Sequence, residues 1–258
     1  MQPKKEKLTL FVYLVLRILV LLVMCLQIWH QNYENVFVCI LTLVLLMVPS
    51  ILEHQLKVQL PGPLEIIILV FIFSAEILGE IESFYLRFPL WDTILHVMNG
   101  FIAAGVGFSL VDILNNDDRL QFQLSPVFMA LVAFCFSMTI GVLWEFFEYS
   151  ADHLLHVDMQ KDTVIHEVIS VTLDPTQSNT PIMIDGIESV VVNGEELGLG
   201  GYLDIGLNDT MGDLFVNFIG AFVFSTLGYF YVKNRGRQPF LKAFLPYTRK
   251  NRSKEHPS

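Results

Sequence analysis

Four short spacings carry the chemistry available to this chain. Asp92 and His96 stand four residues apart, and Glu145, Glu148 and Asp152 are spaced three then four. Asp209, Asp213 and Asn217 are four and four apart, and Glu76 with Glu80 makes a further pair. On a helix, residues three or four apart share a face, so each set lies along one stripe. So many carboxylates with so few internal bases repel one another. They need protons, a cation or a cationic substrate. Oxygen donors suit a hard ion such as Mg²⁺, Ca²⁺ or Mn²⁺, and His96 beside carboxylates also admits Zn²⁺ or Fe²⁺. The expected ligand set is Asp92, His96, Glu145, Glu148, Asp209 and Asp213, holding one divalent cation whose identity the residues leave open. A metal there could activate water or polarise a phosphoryl or acyl oxygen. Glu145, Asp213 and His96 are the candidate catalytic groups, with Glu145 and Asp213 alternatively acting as proton carriers. Ordinary helix chemistry competes with this reading: Asp92 and Asp209 are good N-cap types, and Asp213 lies near the positive end of a helix dipole. Capping explains neither Glu145 with Glu148 at a helix C-terminus nor His96 one turn inside.

The elements that must position these residues are apolar spans. Of 258 residues, 53% are hydrophobic and 16% are charged, against about 25% charged in soluble domains. That balance excludes a disordered chain and argues against an ordinary soluble globule. A helix needs about 20 largely apolar residues to cross a bilayer core. Six segments qualify: 8–29, 35–52, 64–81, 92–114, 126–149 and 211–232. Pro49, Pro61, Pro63, Pro89 and Pro126 lie at or near their boundaries, as helix punctuation should. The third segment is interrupted or flanked by Glu65, Glu76 and Glu80. The first run, after MQPKKEK, exceeds the roughly 7–15 residues of a signal core and no cleavage site follows it, so it reads as a retained span. The expected fold is an all-α membrane protein of about six transmembrane helices with a small extracytoplasmic β-hairpin-like insertion. Its organisation is five spans in 1–149, a loop or lid in 150–210, a sixth span in 211–232, and a basic tail in 233–258.

The formal net charge is −10, but the sign is layered along the chain. With the N-terminus inside, cytoplasmic segments hold 13 of the 16 Lys and Arg residues, the outer segments only Arg87 and Lys161, and Arg17 lies within the first span. The positive-inside rule then puts both termini in the cytoplasm and the 150–210 segment outside. Most of that excess comes from the termini. In this orientation the polar sets fall at similar depth near the outer leaflet, where charges normally face a bundle interior or a watery cavity. Arg17 either pairs with a carboxylate such as Glu76 or snorkels along its stem. The basic tail, interleaved with Phe240, Phe244 and Tyr247, suits anionic lipid rather than nucleic acid.

Smaller features are assigned structural roles. Cys25, Cys39 and Cys135 show neither disulfide nor zinc spacing and read as buried hydrophobes. His153, His156 and His166 read as outer-surface residues. Asp185-Gly186 and Asn193-Gly194 are turn dipeptides beside the β-branched runs Ile182–Ile184 and Val190–Val192. Gly100, Ala103, Ala104 and Gly107, with Gly220 and Ala221, form small-residue surfaces that permit close helix packing. No serine-hydrolase context is present. KDTVIHE (161–167) faintly echoes NDTMGDL (208–214).

The motifs W-D-x-x-x-H (91–96), W-E-x-x-E (144–148) and D-T-x-x-D-L (209–214), within FPLWDTILHVMNGF, LSPVFMALVAFCFSMTIGVLWEFFEYSAD and NDTMGDLFVNFIGA, resemble the YjdF-type integral-membrane family. The likeness runs from about residue 36 to 232 and includes LPGPLEIIILVFIFSAEILGE (60–80). It implies a polytopic bacterial membrane protein whose activity is not established, with Asp92, His96, Glu145, Glu148, Asp209 and Asp213 as the positions to test. The ending D-L-x-x-N-x-x-G-A is similar, more weakly, to VanZ-like membrane proteins associated with glycopeptide resistance. One departure from the family pattern is the stretch of about 45 residues between Asp162-Thr163 and Asp209-Thr210. Either dipeptide could take the motif position, and Asp213-Leu214 favours the second.

Three functional classes follow from these residues. One is a cation-binding site acting on a lipid-linked, small-molecule or envelope substrate. The second is a proton- or metal-ion-coupled transporter, and the third a non-catalytic membrane interaction protein. The lipid bilayer is the expected partner in all three, and no nucleic acid is expected.

Overall fold

In a computed structural model the chain is described at residues 3–56, 59–115 and 124–234. The tail beyond Asn234, Lys57 and Arg119 lie outside the described residues, and with them much of the expected inner charge.

The helices begin where the sequence supplies caps and prolines. α1 (Pro3–Trp29) is followed by α2 (Tyr33–Leu45), whose N-cap Asn32 accepts the Asn35 amide. Pro49 cannot donate a backbone hydrogen bond, and a turn at Leu46–Met47 separates α2 from α3 (Val48–Leu56). α4 (Gly62–Phe73) starts after Pro61, with Pro63 in its first turn. It continues without interruption as a π-helix, Ser74–Ile81. Short α5 (Phe84–Arg87) leads to α6 (Trp91–Asn115). α7 (Pro126–Leu155) opens on a proline, with Ser125 Oγ accepting the Phe128 amide. α8 (Leu207–Lys233) is capped by Asp204, whose carboxylate accepts the Leu207 and Asn208 amides at 3.0 and 2.8 Å.

Among the described residues, five helical segments are long and apolar enough to cross a membrane: Lys7–Trp29, Tyr33–Gln55, Trp91–Asn115, Pro126–Leu155 and Leu207–Lys233. The remaining expected span, 64–81, is helical throughout, but its second half is π-helical and carries Glu76 and Glu80. Large apolar side chains cover much of the exterior, among them Phe11, Leu22, Phe215 and Phe222. An exterior of that kind is solvated by lipid, not water.

The chain divides into two units. The first comprises residues up to Leu143 together with those from Asp213. One of its cores joins α1, α2, α4 and the π-helix through Leu16, Val20, Cys39, Leu46, Leu64, Leu69 and Ile77. The other joins α6, α7 and α8 through Ala104, Phe108, Met129, Ala133, Ala221 and Phe224. In that second core glycine sets the spacing. A Cβ on Gly220 would stand 2.0 Å from the Val97 carbonyl oxygen, and one on Gly100 2.1 Å from that of Asn217. α6 and α8 therefore cross backbone against backbone, as the small-residue pattern requires.

The second unit, Trp144–Gly212, carries three antiparallel strand pairs. β1 (Thr163–Ile165) pairs with β6 (Tyr202–Asp204) and brackets the others, with Thr163 opposite Asp204. β2 (Val168–Ser170) pairs with β3 (Ile182–Ile184), and β4 (Val191–Val192) with β5 (Glu195–Glu196). Asn193 and Gly194 both take positive φ, which a tight primed hairpin turn demands. Asp185-Gly186 does not form the corresponding hairpin, because β3 pairs back to β2 across the loop of Asp174. That carboxylate accepts the amides of Thr176, Ser178 and Thr180. The cysteine reading needs correction: all three are free, but only Cys39 is buried, while Cys25 and Cys135 lie on exposed helix faces.

Candidate functional site

His96 is the centre of the polar constellation in the helical unit. One turn after Asp92 on α6, its Nε2 lies 3.4 Å from Asp92 Oδ1 and 3.3 Å from Asp213 Oδ2 of α8. The side chains of Asp213 and His96 are 7% and 12% exposed and that of Asp92 34%, so the cluster opens on the Asp92 side. Their three donor atoms lie within 4.8 Å of one another. A single Nε2–H can satisfy one of two carboxylates, and both distances exceed the roughly 2.7–2.9 Å of a charge-assisted hydrogen bond. The spacing instead suits a shared cation. Bonds of about 2.0–2.1 Å to a tetrahedral ion put neighbouring ligand atoms about 3.3 Å apart.

What holds α6 and α8 at this spacing lies one turn deeper. Asn217, four residues after Asp213, is 1% exposed. Its Oδ1 accepts from Asn99 Nδ2 at 3.1 Å, and its Nδ2 lies 3.7 Å from Met138 Sδ. A Cβ on Gly141 would stand 2.7 Å from that same Nδ2. Ser137 Oγ donates to the Gly100 carbonyl at 2.7 Å. Side chains of α6, α7 and α8 thus interlock around one buried amide, on the two helices that carry His96 and Asp213.

The other expected ligands belong to the second unit. Glu145 and Glu148 are both buried, and Trp144 Nε1 donates to Glu148 Oε1 at 2.8 Å, which explains the i, i+4 spacing within W-E-x-x-E. Asp209 accepts the Lys161 amide at 2.8 Å. Asp152, which extends the Glu145 stripe, accepts the amides of Met159 and Gln160 at 2.6 and 2.9 Å. Asp152 and Asp209 thus tie the start of the loop to α7 and α8. The second Asp-Thr occupies the opening turn of α8, while Thr163 of the first begins β1. His153, His156 and His166 are exposed, as expected.

Sequence reasoning identified Asn217 but missed Asn99, Met138 and Gly141. Asn99 lies three residues after His96, on the same helical face, and that spacing was the available signal. Arg17 does not pair with Glu76 among the described residues; its guanidinium lies 4.4 Å from the centre of the Tyr13 ring.

Residues 11–234 match the family described as "Predicted membrane protein (DUF2238)". The chain belongs to the DUF2238 family. DUF2238 membership bears out the YjdF-type resemblance and makes this a membrane protein with several transmembrane helices. A curated relative, described as an uncharacterized protein of Thermotoga maritima, is 25% identical over 107 residues, 42% of this DUF2238 chain and 53% of the relative. The chain thus spans about half the length of the relative it matches. No solved structure matches it.

Proposed function

We propose that this DUF2238 protein binds one divalent cation at Asp92, His96 and Asp213 and uses it on a lipid-linked or envelope substrate. The observation that carries the reading is the approach of two carboxylate oxygens to the same imidazole nitrogen, at 3.4 and 3.3 Å. One nitrogen and two oxygens make a mixed donor set of the kind Zn²⁺, Fe²⁺ or Mn²⁺ accepts. Three protein ligands leave a coordination position for water or substrate, the pattern of catalytic rather than closed structural sites. A cation in that place would polarise a phosphoryl or acyl oxygen presented from the Asp92 side. Glu145 and Glu148 of the second unit, both buried, remain candidate proton carriers in their own right.

The orientation goes with this proposal: termini in the cytoplasm, 150–210 outside, and the cluster toward the outer leaflet. Reporter fusions that placed 150–210 in the cytoplasm would overturn it.

Metal content of the purified protein tests the site. The reading expects one equivalent in the wild type and loss of that equivalent in each of Asp92→Ala, His96→Ala and Asp213→Ala, with helicity retained. A metal-free protein after reconstitution with Zn²⁺, Fe²⁺ and Mn²⁺ would sink it. A proteoliposome flux assay separates local chemistry from transport, because metal or proton flux abolished by Glu145→Gln would favour the permease.

A further inference from the structure

The third expected span carries a buried carboxyl that the Asp92–His96–Asp213 cluster does not use. Glu76 is 3% exposed, and its Oε2 has no hydrogen-bond partner among the described residues. Its surroundings are apolar: Ile72 and Ile77 pack in one core with Leu16, Val20, Cys39 and Leu69. An ionised carboxylate enclosed in that way is very costly unless it is paired and fully hydrogen-bonded. Arg17, next to Leu16 of the same core, is the cation the sequence offers for pairing, and among the described residues no ion pair joins the two.

The backbone around Glu76 is also unusual. Ser74–Ile81 is π-helical, a rare winding that occurs frequently at functional sites. It is pinned toward both ends. Trp91 Nε1 donates to the Ser74 carbonyl at 3.3 Å, and the ring of Tyr85 lies where a Cβ on Gly79 would stand, 2.3 Å away. Titratable or charged groups are Glu80 on this winding and, on the elements packed against it, Tyr33, Glu34 and Cys39 on α2, Glu65 on α4, Tyr85 and Arg87 on α5, and Asp92, His96 and Asp112 on α6. None of them hydrogen-bonds Glu76 Oε2.

We propose that the Glu76 carboxyl, enclosed in the π-helical winding Ser74–Ile81, is an exchangeable proton site separate from the Asp92–His96–Asp213 cluster. The bound species is a proton on a neutral carboxyl, which needs no counter-ion in an apolar core. The wide π turn leaves the backbone room to re-form its hydrogen bonds as that proton comes and goes. A proton held there gives the molecule a group through which a proton gradient can act, whether the other cluster performs local chemistry or transport.

Infrared difference spectroscopy on the full-length protein in lipid nanodiscs tests this, with acidic minus alkaline spectra in H₂O and D₂O. Every titrating Asp and Glu adds to the protonated-carboxyl carbonyl band, so the band expected in the wild type, in Glu80→Gln and in Asp213→Asn, and missing from Glu76→Gln, is its D₂O-sensitive component at the high frequency of a carboxyl without a hydrogen-bond partner. Glutamine is the isostere of neutral glutamate, so Glu76→Gln should melt at or above the wild-type temperature. Absence of the band from the wild type, its persistence in Glu76→Gln, or its failure to shift in D₂O would each overturn the proposal. Unfolding of Glu76→Gln while Glu80→Gln stays folded would do so too, because a neutral isostere is then not tolerated.

Discussion

Around α1, α2 and α4 the interior is filled by Leu16, Val20, Leu46, Leu64 and Leu69. Where α6 and α8 cross, the equivalent places are taken by Gly100, Ala104, Gly220 and Ala221. The difference decides what each core can hold. Branched aliphatic side chains keep helices apart and leave nothing polar to converge, so Glu76 is stranded there. Glycine brings two backbones together, and polar side chains one turn from Gly100 and two turns from Gly220, His96 and Asp213, meet as a consequence. Helix association in lipid gains little from the hydrophobic effect and depends on close packing and interhelical hydrogen bonds. The glycine-spaced core has both.

The largest test of this contrast is Gly220→Ala. The added Cβ would stand 2.0 Å from a backbone oxygen that has no side-chain freedom to yield. We expect about 3 kcal/mol of destabilisation by overpacking, read by unfolding in mixed micelles, together with lost metal binding. Leu69→Ala in the other core should cost about 2 kcal/mol by leaving a cavity while metal content is unchanged. If Leu69→Ala proved the costlier of the two, or emptied the site, the contrast would break.

Asn217→Ala sharpens the comparison at smaller scale. Removing the amide deletes the bond from Asn99 and should cost about 1 kcal/mol, in the range of interhelical hydrogen bonds in membranes. Affinity for the cation should fall although no ligand is touched. An unchanged metal affinity would mean that the Asn217 interlock does not position Asp213.

The smallest effect concerns the second unit and its dependence on pH. Hydrogen bonds from the Thr176 hydroxyl and amide, then from Ser178 and Thr180, hold the Asp174 carboxyl well below the usual carboxylate range. A depressed carboxyl contributes stability that is present above its unfolded value of about 3.9 and is lost as pH falls below it. Amide exchange at Thr176, Ser178 and Thr180, corrected for intrinsic rates, should therefore lose protection in acid and not near neutrality. Protection that persisted in Asp174→Ala would remove the carboxylate from the account.

The sequence made the spans and the His96 cluster legible for physical reasons. Apolar length marks a membrane helix, and four-residue spacing puts Asp92 with His96, and Asp213 with Asn217, on single faces. Other features depend on partners far along the chain. Asp209, an expected ligand, and Asp152 both accept amides of the loop that follows α7, and spacing does not reveal which amides come near. The π winding leaves no trace in apolar periodicity, since α and π turns bury similar stripes. β3 was legible as a strand, but not its pairing to β2, because the Asp174 loop sets that register.

X-ray absorption at the edge of the bound metal tests the central claim most directly. In the reconstituted wild type, the account predicts one imidazole nitrogen and carboxylate oxygens at about 2.0–2.2 Å, with the imidazole signature lost in His96→Gln. A shell without imidazole in the wild type, or one that His96→Gln leaves unchanged, would contradict it.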